Sequence, residues 1–158
     1  MSELKPGDKA PEFTLKDSDG NDITLSEEIQ KNQNIVLLFF PLAFSGVCTQ
    51  EVCNMRDNLK KFEQLDAKII GISVDSFFTL HEFKKANELN FTLASDFNRE
   101  TAEKFGALYD FFFGMKGVAK RAAFVIDKSG AIQYAEVLED AGTLPDFQGI
   151  EEALHQVA

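Results

Sequence analysis

The sequence is poor in the residues that most often carry enzyme chemistry. It has two cysteines, two histidines, three arginines and no tryptophan. So few cysteines and histidines do not make a four-ligand zinc set, although a carboxylate could complete one. The chain also lacks a P-loop and a Gly-x-Gly-x-x-Gly fingerprint. We therefore expect no metal and no cofactor.

Long apolar runs and an excess of positive charge are absent as well. The longest apolar run covers residues 35–44 and is interrupted by Pro41, whereas a membrane helix needs about 20 apolar residues. The net charge of −10 opposes binding to nucleic acids and to anionic membranes. The first residues, MSELKPGDKAPEF, lack a basic region followed by an apolar core of about 7–15 residues, so a cytoplasmic location is expected.

The apolar pattern predicts a strand, a helix and a second strand in the first half of the chain. Residues 34–40 and 68–74 are apolar on both faces, as strands in the centre of a covered sheet are. Between them, apolar residues recur every three or four positions and predict an amphipathic helix. These residues are Val52, Met55, Leu59 and Phe62. At 158 residues, we expect a single domain spanning 1–158.

Shorter elements complete a mixed central sheet with helices on both faces, which is a three-layer α/β sandwich. Ser76 is expected to cap a helix over 77–89 with Leu80, Phe83 and Ala86 facing inward. The segments 122–127 and 131–138 flank Lys-Ser-Gly and predict a hairpin. Further predicted elements are a strand over 91–94, a helix over 99–105 and a last helix from Asp146 or Gly149 to Val157.

Cys48 falls in the first turn of the predicted helix, directly after a central strand. Free N–H groups and a partial positive charge at a helix N-terminus favour the thiolate, which is the nucleophilic form of cysteine. Ser45 is near enough to reach the sulfur, and Pro41, which has no N–H, could shield it. The alternative is a small core residue, because Cys48 continues the apolar line of the helix.

Cys53 lies on a different face of the same helix. Its neighbours at helical spacing are Thr49, Arg56 and Lys60, and this polar face is unusual for an inert buried cysteine. Helix geometry separates the Cα atoms of Cys48 and Cys53 by about 8–9 Å, whereas a disulfide needs less than about 7 Å. A bond between them would therefore require the first turns of the helix to unwind.

Other cysteine chemistries fit less well. A Cys–His nucleophile needs a histidine close to the sulfur, and neither His81 nor His155 is placed to provide one. A thioredoxin-type reductase would use Cys-x-x-Cys, whereas the spacing here is Cys-x4-Cys. A cation beside the sulfur must then be an arginine. Arg56 lies about 12 Å down the helix, and Arg121 either reaches the ligand edge of the sheet or is an exposed charge at a strand end.

Three segments and the predicted last helix resemble the peroxiredoxin family and keep its order along the chain. PLAFSGVC at 41–48 matches the signature P-x-x-x-[T/S]-x-x-C, and GDKAPEF at 7–13 resembles G-x-x-A-P-x-F. Arg121 with the following AAFVID resembles R-x-x-F-x-I-D. The similarity extends over essentially the whole chain and includes features of the Q-type, or bacterioferritin comigratory protein, branch and of the AhpE-type branch. It implies a thioredoxin-like fold and thiol-dependent reduction of hydroperoxides.

The resemblance also implies roles for single residues. Cys48 would be the peroxidatic cysteine, which attacks the peroxide and becomes a sulfenic acid. Ser45 would hydrogen-bond the peroxide, Arg121 would stabilise the thiolate and the developing charge, Pro41 would shield the site, and Glu51 would orient the arginine. The implied substrates are hydrogen peroxide and organic hydroperoxides.

Cys53 matches the helix-borne resolving cysteine of the Q-type branch, where the two cysteines form an intramolecular disulfide that thioredoxin or a similar dithiol reduces. The likeness to AhpE-type enzymes leaves open a one-cysteine mechanism with Cys53 as a bystander. A non-catalytic peroxide sensor or holdase is a further alternative. The aromatic run at 111–113 is expected in the core or over the site, whereas a surface position would favour a homodimer over a monomer.

Overall fold

The computed structural model describes residues 4–157, which form seven strands and five helices. The strands are β1 (Thr14–Asp17), β2 (Asp22–Thr24), β3 (Asn34–Phe39), β4 (Ala67–Ser73), β5 (Thr92–Ser95), β6 (Arg121–Ile126) and β7 (Ile132–Leu138). The helices are α1 (Leu25–Gln30), α2 (Gly46–Glu63), α3 (Phe77–Ala86), α4 (Glu100–Lys104) and α5 (Phe147–Val157).

The strands form one mixed sheet in the order β2-β1-β5-β4-β3-β6-β7. The strands β3, β4 and β5 run parallel, and β6 pairs antiparallel with β3. All six residues of β3 are buried, because helices cover this strand on both faces. The predicted hairpin is also present, since β6 pairs antiparallel with β7.

Two hydrophobic cores confirm the predicted helix layers on both faces of the sheet. One core joins α2, α3 and α5 to alternate strand residues such as Val36 and Leu38. The other core joins α1 and α4 to the intervening residues, including Ile35 and Leu37. The period of two along β3 thus divides its side chains between the cores.

Register brings distant parts of the chain to one edge of the sheet. Because β3 and β4 are parallel, their carboxyl ends meet at this edge. Since β6 runs antiparallel to β3 and pairs Ala122 with Phe39, the first residue of β6, Arg121, also lies there. The loop 40–45 leads from β3 at this edge into α2.

Several predicted boundaries differ from the structure. The helix α3 ends at Ala86, which is exposed rather than inward-facing. It stops because Glu88 adopts a left-handed backbone with φ of 51°, which cannot continue a right-handed helix. The strand predicted over 91–94 begins at Thr92, and α4 is shorter than predicted because Arg99 is left-handed, with φ of 67°.

The aromatic run at 111–113 lies mostly on the surface, so its predicted place in the core is wrong. Phe111 is 63% exposed and Phe113 is 89% exposed. An isolated antiparallel bridge pairs Phe112 with Met115 and closes a small hairpin. The homodimer that such a surface position would favour stays a prediction.

Candidate active site

Cys48 is held at the sheet edge by the first turn of α2. Its side chain is 1% exposed and belongs to the core between α2 and the sheet. Ser45 occupies the N-cap position with extended backbone, and its side chain makes no capping bond. The free N–H groups of this helix end and their partial positive charge therefore lie beside the sulfur.

Arg121 supplies the cation beside this sulfur. Its Nη2 donates to Cys48 Sγ at 3.3 Å, although the two residues are 73 positions apart. The guanidinium is 1% exposed, so it is not the solvated strand-end charge that the sequence pattern also allowed. A buried cation in this position stabilises a sulfur anion more than a neutral thiol.

The fork of Arg121 is fixed by two further acceptors. Its Nε and Nη2 donate to the carbonyl of Ala141 at 3.1 and 2.9 Å. Its Nη1 contacts Glu51 Oε1 at 3.4 Å. The planar geometry of guanidinium allows these bonds at once, which lysine cannot do. The sulfur therefore faces a cation with one defined orientation.

Glu51 lies one helical turn beyond Cys48 and is fully buried. Burial raises the pKa of this carboxyl to about 8, and a neighbouring negative charge on Glu136 adds to the rise, while Arg121 opposes it. The 3.4 Å contact with Arg121 is long for a charge-assisted bond, and Oε2 has no partner among the described residues. Burial therefore favours the protonated form of this carboxyl, which leaves more of the charge of Arg121 for the sulfur.

We expect Glu51 to make the free energy of unfolding depend on pH. Its pKa is about 8 in the folded chain and near 4.5 when solvated, so only the folded chain holds this proton between those values. The stability that this proton contributes to the folded chain is complete below pH 4.5 and is lost as pH rises towards 8. At the steepest, the free energy of unfolding falls by about 1.4 kcal/mol per pH unit. Urea unfolding from pH 4.5 to 9 should show wild type losing stability relative to Glu51→Gln. A pH-independent difference would mean that Glu51 is ionised throughout.

The loop before α2 contains the signature residues Pro41 and Ser45. Pro41 is buried at the end of β3, and Ser45 is exposed. The Ser45 hydroxyl donates to the carbonyl of Leu42 at 2.8 Å, and no hydrogen bond joins it to Cys48 in the described chain. Phe44 has a left-handed backbone, with φ of 67°, which costs about 1–3 kcal/mol in a residue other than glycine.

Cys53 points away from Cys48, towards the end of α3. It is half-buried, and its Sγ lies 3.7 Å from Asn87 Oδ1. Arg56 donates to the carbonyl of Asn87 at 2.6 Å on the same face of α2. Both cysteines are free thiols, and an intact α2 keeps them apart.

Sequence reasoning missed two groups at this edge. Asp75 follows β4, and its Oδ2 accepts from the backbone N–H of Ala43 at 2.7 Å. A carboxylate just beyond the end of a parallel strand was a usable signal, because such ends share the ligand edge of the sheet. The second group, the Ala141 carbonyl, is part of the main chain and carries no sequence signal.

Within residues 4–157, none of the helices combines the length and the apolar character of a membrane span. No group of three or more histidine, cysteine, aspartate or glutamate side chains in this part of the chain is placed to hold a metal ion.

The sequence matches known proteins over most of its length. Residues 6–135 match the AhpC/TSA family. The chain is 37% identical to peroxiredoxin Q, chloroplastic, of rice (Oryza sativa subsp. japonica) over 131 residues, which cover 83% of this chain and 58% of the rice protein. It is 35% identical to peroxiredoxin Bcp of Escherichia coli over 137 residues, which cover 85% of this chain and 86% of that protein.

A solved structure confirms the fold. The crystal structure of peroxidoxin BcpB from Mycobacterium tuberculosis superposes with a TM-score of 0.83 at 28% identity, covering 98% of this chain and 96% of that one. Together with the mixed sheet between helix layers, this similarity confirms the predicted thioredoxin-like sandwich. The family match and both sequence relatives agree with the motifs around Cys48 and Arg121, and the chain therefore belongs to the AhpC/TSA family of peroxiredoxins.

Proposed function

We propose that the protein is a thiol peroxidase in which Cys48 reduces hydrogen peroxide and organic hydroperoxides. The observation that carries this proposal is the buried contact of 3.3 Å between Arg121 Nη2 and Cys48 Sγ. A guanidinium held on a sulfur at a helix N-terminus is the environment in which a cysteine becomes nucleophilic. Core packing alone would not require this cation.

The proposed first step transfers one oxygen atom to sulfur. The Cys48 thiolate attacks one peroxide oxygen, the O–O bond breaks, and the bonding pair leaves on the other oxygen as hydroxide or alkoxide, which takes up a proton. Sulfur is oxidised to a sulfenic acid, and the peroxide is reduced to water or an alcohol. Arg121 stabilises the negative charge that moves from sulfur to oxygen. Pro41 shields the sulfur, Ser45 binds the peroxide, and Glu51 orients the arginine.

Cys53 resolves the sulfenic acid in the second proposed step. The Cys53 sulfur bonds to the Cys48 sulfur and water leaves, which yields an intramolecular disulfide. Because Cys53 faces Asn87 in the folded helix, the start of α2 must unwind before the two sulfurs meet. A thioredoxin-like dithiol then reduces the disulfide and returns both thiols.

Intact mass spectrometry after one equivalent of hydrogen peroxide tests both steps. Wild type should lose about two daltons, the mass of two hydrogens, as the disulfide closes. The Cys53→Ser variant should gain about 16 or 32 daltons, the mass of one or two oxygens on Cys48. Cys48→Ser is the matched control and should do neither.

Other outcomes favour the alternatives. A gain of oxygen in wild type without a disulfide would make Cys53 a bystander in a one-cysteine mechanism. An unchanged mass in both chains would overturn the peroxidase proposal. A single oxidation without repeated turnover, in the presence of a thioredoxin-like reductant, would favour a peroxide sensor or holdase.

A further inference from the structure

A hydrogen bond to Asp75 holds the loop 40–45, which leads into α2. Its Oδ2 accepts from the N–H of Ala43 at 2.7 Å and from the hydroxyl of Ser73, also at 2.7 Å. Ala43 lies midway between the two signature residues Pro41 and Ser45. One carboxylate beyond β4 therefore holds the main chain of the loop that follows β3.

Hydrogen bonds to two serines of the sheet hold Asp75 in place. Ser73 is fully buried, and its hydroxyl oxygen also accepts from the N–H of Asp75 at 3.2 Å. The hydroxyl of Ser95, on the neighbouring strand β5, donates to the carbonyl of Asp75 at 2.6 Å. Asp75 is thus hydrogen-bonded to β4 and β5, so its carboxylate is a fixed acceptor for the loop.

The loop needs such an anchor because its conformation is costly. Phe44, next to Ala43, adopts a left-handed backbone and is 57% exposed, so burial of its ring compensates only in part. Its ring contacts Phe83 of α3, with 5.0 Å between the ring centres. A charge-assisted bond to the adjacent N–H is the stronger restraint.

We propose that Asp75 is a positioning residue for the reaction at Cys48. By fixing residues 41–45, its carboxylate holds Pro41, Ser45 and the first turn of α2 in the arrangement that orients a hydroperoxide on the sulfur. Asp75 acts through the loop and touches neither sulfur nor peroxide. This inference rests on the proposed peroxidase function.

The test compares two reactions of the same sulfur in a Cys53→Ser chain, where Cys48 is the remaining thiol. Hydrogen peroxide must be oriented by the loop, whereas alkylation by iodoacetamide needs mainly the thiolate. Asp75→Ala should lower the second-order rate with peroxide about 10–100-fold, since small misplacements at a reacting centre have effects of this size. The iodoacetamide rate should change less than about threefold, because Arg121 remains beside the sulfur.

Two further variants sharpen the test. Asp75→Asn keeps an oxygen acceptor without the charge, so its peroxide rate should fall only about three- to tenfold. Asp127→Ala is the matched control, because Asp127 also accepts loop N–H groups, those of Ser129 and Ala131, but follows the opposite end of β6. It should leave both rates of Cys48 unchanged.

The proposal is overturned if Asp75→Ala keeps the parent peroxide rate, or if both rates fall by the same factor. Circular dichroism shows whether each variant folds. If Asp75→Ala does not fold, Asp75→Asn decides in the same way, by a selective loss of the peroxide rate or by none. A parent chain that reacts with iodoacetamide but not with peroxide would defeat the proposed function itself, and this inference with it.

Discussion

Replacing Cys48 with serine should abolish hydroperoxide reduction. Serine offers no thiolate and no sulfur to oxidise, and removal of a nucleophile from a catalytic set costs about 10⁴-fold or more in rate. The fold should persist, because the hydroxyl is close in size to the thiol and can accept from Arg121 in its place. The measurement is the initial rate of peroxide consumption with a dithiol reductant in excess.

Cys53→Ser is the internal control for this expectation. It keeps Cys48, Arg121 and the loop, so it should consume one equivalent of peroxide in a fast first turnover. Turnover by Cys48→Ser, with none by Cys53→Ser, would assign the attack to Cys53 and reverse the two roles.

Replacing Arg121 with methionine is expected to have the second-largest effect. Methionine keeps much of the side-chain length but removes the cation and all donors. Loss of a preorganised donor at a site of developing charge typically costs about 10²–10³-fold in rate, and we expect this range for the reaction of Cys48 with peroxide. Alkylation of Cys48 at pH 7 should slow as well, because Arg121 also stabilises the thiolate.

Arg121→Lys separates charge from geometry. Lysine restores a positive charge, but its point-like ammonium cannot bond the sulfur, Ala141 and Glu51 together. Its rate should therefore lie between those of wild type and Arg121→Met. Arg99→Met is the control, because Arg99 is exposed outside the site and its loss should leave the rate unchanged. Equal rates for Arg121→Met and wild type would show that the helix N-terminus alone activates Cys48.

Local periodicity in the sequence was enough to predict the central strands and the helix that carries Cys48. The apolar run at 35–40 predicted the central strand β3, because a strand covered on both faces is apolar at successive positions. The three- and four-residue spacing of apolar side chains predicted α2 and, with it, Cys48 at the helix N-terminus. The motifs around Pro41, Cys48 and Arg121 then identified the family before any contact was known.

The hydrophobic pattern predicted less well where a helix ends and which aromatic side chains are exposed. The apolar spacing of α3 suggested a longer helix, but the left-handed turn at Glu88 ends it earlier and directs Leu89 back to the core. The run 111–113 was expected to be covered because it is aromatic, yet a short hairpin holds Phe113 in solvent. Neither outcome follows from hydrophobicity alone.

The groups that meet at Cys48 are brought together by the tertiary fold. The pattern left Arg121 as either a site residue or an exposed charge, and the antiparallel register of β3 and β6 placed it on the sulfur. The Ala141 carbonyl, which is part of the main chain and carries no sequence signal, accepts from Arg121. The Asp75 carboxylate contacts the loop before α2 by accepting from the N–H of Ala43, a partner that its sequence position did not reveal. Periodicity reports which face of an element is buried, whereas sheet register and loop closure set which distant residues touch, and these depend on the whole chain at once.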